Sequence, residues 1–131
     1  MRGLDTNVLV RFVTQDDREQ SARANAVLGG ALVAGERLFV NAIVLCELVW
    51  VLRSAYGHSR EEILPVLDAL LETPELIIED AAEARRAVAE WAALGGDFAD
   101  RLIGHRNARL GCASTLTFDD RAAKSPLFAL V

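Results

Sequence analysis

The stretch RLFVNAIVLCELVWVLRSAY (37–56) decides the fold class. Its opening RLFVN has the β-branched and aromatic character of a short strand, and Ala42–Tyr56, apolar nearly all round, has the pattern of a buried helix. The same alternation runs outward in both directions. Towards the N-terminus, Arg2–Leu4 reads as a strand, Asn7–Val13 as a helix, and Asp17–Val33 as an Ala-rich helix ended near Gly35. Towards the C-terminus, Ser59 and Glu62 form a capping-box pattern for a helix that runs to about Thr73 and is stopped by Pro74.

ELIIE (75–79) is a third strand, and Asp80 with Glu83 opens a helix that ends at Gly95-Gly96. Asp97 or its neighbour starts another helix running to Gly111. ASTLTF (113–118) and LFALV (127–131) complete the strands. Strands alternating with helices predict a three-layer α/β/α sandwich around a mainly parallel sheet of about five strands.

The length of 131 residues suits one domain, enough to bury roughly two thirds of the surface its unfolded chain exposes. Hydrophobic residues make up 52% and charged residues 25%, a globular composition with no linker, repeat or low-complexity segment. The longest apolar stretch, Leu38 to Leu52, is broken by Asn41 and Glu47 and is too short to span a bilayer. No secretory pattern opens the chain, so a cytoplasmic protein is expected. Cys46 and Cys112 stand apart in apolar surroundings and read as buried, reduced thiols; with His58 and His105 also far apart, any metal here is expected to be held by oxygen.

The net charge of −5 argues against a general nucleic-acid binder without excluding a local site. Thirteen of the 14 cationic residues are Arg, which suits bidentate phosphate recognition and equally reflects a compositional bias.

The acids carry the chemistry. In open α/β sheets ligands collect at the carboxyl ends of strands, and Asp5 follows the first strand as Asp119 follows the fourth. Each is also placed to cap a local turn or helix, a role worth roughly 0.5 to 2 kcal/mol. Asp97 and Asp100 in GGDFADRLIG likewise suit an N-cap and an acid in the first helical turn.

Glu47 is different. Its helical neighbours Ile43, Val44, Trp50 and Val51 offer it no partner, and it lies beyond the first turn. An unpaired buried carboxylate costs several kcal/mol, so the sequence predicts compensation from elsewhere: a buried Arg, or a cation shared with the other acids. Clustered carboxylates repel one another unless a divalent cation is present, and all-oxygen ligation suits Mg²⁺ or Mn²⁺. The implied chemistry is phosphodiester cleavage by metal-activated water.

LDTNVLVR (4–11), AIVLCELVWVL (42–52), DFADRLIG (97–104) and TLTFDD (115–120) together resemble the PIN domain, and within it the VapC-type toxin ribonucleases of toxin–antitoxin pairs. The motifs follow the family order from residue 4 to 120. By position, the resemblance assigns the family's four acids to Asp5, Glu47, Asp100 and Asp119, with Asp97 as a ligand or a cap. It gives Thr6 and Asn7 supporting roles beside the first acid. It implies a Mg²⁺- or Mn²⁺-dependent endoribonuclease acting on a restricted set of structured RNAs such as tRNA or rRNA, a homodimer, and a VapB-like antitoxin as partner. The Asp119-Asp120 doublet leaves the fourth acid ambiguous. Arg101, His105 and Arg109, four residues apart, form a helical stripe beside Asp100 that is a candidate for RNA contacts or else a solvated face.

Two other readings fit parts of the pattern. A Mg²⁺-dependent phosphotransfer or phosphatase-like domain also places Asp after a first strand, but LDTN lacks the second Asp of D-x-D. A catalytically silent binding module of the same fold does not explain why all four acid positions are filled.

Overall fold

A computed structural model describes residues 1–131. Residues 1–79 and 80–131 form two compact units. Five strands and six α-helices are present, and every strand pairing is parallel, as the α/β reading expects. The ladder hydrogen bonds make a three-stranded sheet in the first unit and a two-stranded sheet in the second.

In the first unit, β1 (Arg2–Gly3), β2 (Leu38–Val40) and β3 (Leu76–Ile78) lie in the order β1-β2-β3, with Arg2 opposite Leu38 and Leu38 opposite Leu76. Parallel neighbours need crossovers, and helices supply them. α1 (Thr6–Thr14) and α2 (Arg18–Ala34) join β1 to β2, and α3 (Ala42–Ser54) and α4 (Arg60–Leu71) join β2 to β3. Local chemistry sets the ends of these helices. Asp17 accepts from the amide of Gln20, Asn41 from Val44, and Ser59 exchanges both capping-box hydrogen bonds with Glu62. Gly35 ends α2 in the left-handed region at φ 65°, a conformation glycine adopts without a Cβ penalty. Leu9, Leu38, Val40, Leu45, Leu48, Leu52, Ile63 and Leu67 are buried and form the core.

α3 departs from expectation. The sequence predicts a buried helix, yet Ile43 and Trp50 are 68% and 69% exposed, with Glu47 exposed between them. Val44, Leu45, Leu48, Val49 and Leu52 form the packed face. An all-round apolar sequence does not say which of its faces is covered.

In the second unit, α5 (Ala81–Leu94) and α6 (Phe98–Arg109) precede β4 (Thr115–Thr117), and a short 3-10 turn (Ala122–Lys124) leads to β5 (Phe128–Leu130). Its core joins Trp91 to Phe98 edge-to-face, with ring centroids 5.5 Å apart, and adds Val88, Leu102 and Phe128. Gly104 permits close packing of α6 on β5, since a Cβ there would meet the Phe128 ring at 2.5 Å.

Two local expectations fail. Asp80 does precede α5 but adopts the left-handed region (φ 46°, ψ 59°) and makes no side-chain cap. Its expected capping partner Glu83 is instead buried and paired with Arg106 at 3.2 Å and Arg109 at 2.7 Å. Cys112 is exposed and Cys46 partly so, rather than buried, and no disulfide joins them. No helix is long and apolar enough to cross a membrane.

Candidate active site

In the first unit the three parallel strands run out into Asp5, Asn41 and Glu79. Asp5 does both things its position allows. Its carboxylate accepts from the Thr6 amide at 2.8 Å as the N-cap of α1, and its side chain stays exposed. Thr6 is buried and donates from Oγ1 to Glu47 Oε2 at 3.1 Å, so the residue beside the first acid holds the second. Asn7 is exposed and lines a 290 Å³ cleft with Arg11, Gln20 and Arg23.

The exposure of Glu47 corrects the argument that singled it out. No buried charge demands compensation there, because the Thr6 hydroxyl and solvent satisfy the carboxylate. Sequence reasoning also passed over Glu79. It accepts from the Ala42 amide at 2.6 Å and so tethers the end of β3 to the start of α3. Its position directly after a strand was the available signal.

In the second unit Asp97 caps α6 by accepting from the Ala99 amide at 3.1 Å, and Asp100 lies in the first turn behind it. Asp119 ends β4. Its Oδ1 accepts from the Arg121 amide at 2.9 Å, its carbonyl accepts from Ala123, and its own amide donates to Thr117 Oγ1. Asp120, its doublet partner, is exposed. Burial raises the Asp100 pKa, and the negative charges of Asp97 and Asp119 raise it further against the opposing pull of Arg101 and Arg121. In the second unit the charges of Asp97 and Asp119 thus both reach Asp100.

The expected basic stripe dissolves on inspection of its members. Arg101 is fully buried and donates to three backbone carbonyls, so it offers nothing to RNA. His105 lies mostly buried with Nε2 3.5 Å from Glu90. Arg109 is partly exposed but is engaged by Glu83 and Asp80. Residues four apart on a helix share a face, but that face packs against α5 and the turn after β4.

Carboxylates are the donors available for a metal, a set that suits a hard divalent cation better than zinc. No group of three or more Asp, Glu, His or Cys side chains is placed to hold a metal ion by itself.

Comparison with known proteins agrees with this arrangement of elements. The PIN domain family model matches residues 4–126, which covers most of each unit. The chain is 28% identical over 124 residues to a VapC ribonuclease of Aquifex aeolicus (strain VF5), a match covering 95% of this chain and 91% of that protein. No solved structure matches. With its parallel strands, its acid-bearing motifs in order and a family match across nearly its whole length, the chain belongs to the PIN domain family.

Proposed function

We propose that this chain is a Mg²⁺- or Mn²⁺-dependent endoribonuclease, the toxin of a toxin–antitoxin pair, with Asp5, Glu47, Asp100 and Asp119 as its catalytic carboxylates. The observation that carries the reading is the family match running through all four acid motifs, joined to a relative named as a VapC ribonuclease. Residues 1–131 are read as a single PIN domain. The remaining parts of the proposal come with the VapC likeness: a structured RNA substrate such as tRNA or rRNA, a VapB-like antitoxin, a homodimer and a cytoplasmic setting.

Asp5, Glu47, Asp100 and Asp119 would hold the cation, with Asp97 free to join them at the cost of its cap. When bound, the ion supplies charge neutralisation at the phosphate and acidifies water at neutral pH. The chain's own residues do the rest. Thr6 orients Glu47 through its hydroxyl, and the amide of Thr6 fixes Asp5. The turn after β4 fixes Asp119 through the Arg121 amide. At Asp100 burial first, and then the charges of Asp97 and Asp119, raise the pKa. The reaction adds water to phosphorus and breaks one P–O ester bond.

Sequencing RNA 5′ ends after induced expression tests activity and target together. The expected result is growth arrest with new 5′ ends confined to a few structured RNAs, both abolished by Asp5→Asn. Equal arrest and identical ends from the Asp5→Asn chain would overturn the reading.

A further inference from the structure

Arg101 is the one cationic side chain that is fully buried, and its burial calls for a reason. Taking a guanidinium out of water costs several kcal/mol, and apolar side chains of similar volume often serve a core as well or better. Each of the three Arg101 side-chain nitrogens instead donates to a backbone carbonyl. Nε donates to Gly95 O at 3.0 Å, Nη1 to Ala122 O at 3.0 Å and Nη2 to Arg121 O at 2.8 Å.

These acceptors lie on two separate segments. Gly95 belongs to the turn that delivers Asp97 and Asp100 to the start of α6, while Arg121 and Ala122 belong to the turn that follows Asp119. Gly96 makes room for the contact, because a Cβ there would stand 3.0 Å from Nη2. Glu90 supplies the counter-charge at 3.9 Å, and Ser125 Oγ, just past the second turn, donates to Glu90 at 3.1 Å.

We infer that Arg101 is a positioning residue, a planar three-way clamp that fixes the spacing between the Asp97/Asp100 segment and the Asp119 segment and so sets the carboxylate geometry presented to a divalent cation. The inference rests on the reading of Asp100 and Asp119 as metal-binding carboxylates given above. A guanidinium suits the task because its fork fixes the direction of each hydrogen bond, whereas a lysine ammonium is a single point with no fork.

The test is Mn²⁺ binding by the full chain, read from the spectroscopic signal of the free ion, in Arg101→Lys against the unaltered protein. Loss of a partner that orients ligands is expected to weaken Mn²⁺ binding roughly 10- to 100-fold in a chain that remains folded by circular dichroism. The amides of Ala123 and Ser125, which bond to Asp119 O and Ala122 O, should exchange faster in the same variant. Val88→Ala, a cavity in the same core, is the control for general loosening and should leave Mn²⁺ affinity unchanged. Should Arg101→Lys fail to fold, Glu90→Gln removes only the counter-charge, and a smaller loss in the same direction is expected. Unaltered Mn²⁺ affinity in the folded variant, or an equal loss in Val88→Ala, would overturn the inference. An unaltered protein that binds no Mn²⁺ would overturn the functional proposal itself, and the positioning role with it.

Discussion

Glu47 on α3 and Arg101 on α6 each place a charge in the middle of a helix, and the two units treat that charge in opposite ways. α3 leaves Glu47 at the surface, flanked by exposed Ile43 and Trp50, with a single hydroxyl from Thr6 to hold it. α6 turns Arg101 inward, where each of its side-chain nitrogens donates to a backbone carbonyl. The first arrangement orients a carboxylate with almost no investment in stability, whereas the second makes the acid-bearing segments part of the core. Changes near Glu47 should therefore alter chemistry and spare the fold, while changes around α6 should reach both.

The largest effect is expected where the comparison is sharpest, at a carboxylate that the core supports. Asp100→Asn should lower single-turnover RNA cleavage by roughly 10²- to 10³-fold, the scale for removing one charge-stabilising group. Thermal stability should stay level or rise, because burial and neighbouring negative charges disfavour ionised Asp100 in the folded chain. A large fall in melting temperature would show that Asp100 is structural.

Glu83 sharpens the contrast from the other side, as an acid of the second unit with no expected part in catalysis. It is 1% exposed and held by Arg106 and Arg109. Burial pushes its pKa up, yet the hydrogen bonds and charges of the two arginines outweigh this and hold it below the ordinary carboxylate value. Glu83→Gln should cost about 2 kcal/mol in denaturant unfolding, below the range for fully buried pairs because both arginines are partly exposed. Cleavage by the folded fraction should persist.

In the first unit, Thr6→Val removes the hydrogen bond to Glu47 and should reduce cleavage about tenfold, with stability changing by no more than about 1 kcal/mol. Thr6→Ser keeps the hydroxyl and should restore most of the rate. If the Val variant loses stability and keeps activity, the light arrangement around Glu47 is structural after all.

The smallest effect concerns acid. Hydrogen bonds from Tyr56 and Thr14, together with Arg11, hold the Asp16 carboxyl down to about 2 from 3.8 against a modest burial penalty. A carboxyl depressed in the folded chain contributes stability above its unfolded pKa and loses it as pH falls. Between 3.8 and about 2 the first unit should weaken, and Asp16→Asn should flatten that part of the unfolding profile.

Elements whose ends are set by adjacent residues were legible in the sequence. The Ser59/Glu62 and Asp97 caps and the Gly35 stop fall where local hydrogen bonding requires. The acids at strand ends were legible for the same reason. What failed depended on partners far along the chain. D-x-x-E at Asp80–Glu83 has the form of a capping box, but arginines 23 and 26 residues away claim the Glu. Periodicity placed Arg101 on a face without showing that carbonyls 6 and 20 to 21 residues distant cover that face. For Glu47 the helix pattern named its neighbours but not its exposure.

The central claim is that these acids serve metal-dependent RNA cleavage. Its most direct test is cleavage of the RNA identified by 5′-end sequencing, followed through chelation with EDTA and readdition of Mg²⁺ or Mn²⁺. The account predicts that cleavage stops in EDTA, returns with either ion, and is absent under all conditions from Asp5→Asn and Asp100→Asn. Undiminished cleavage in EDTA, or by either variant, would contradict it.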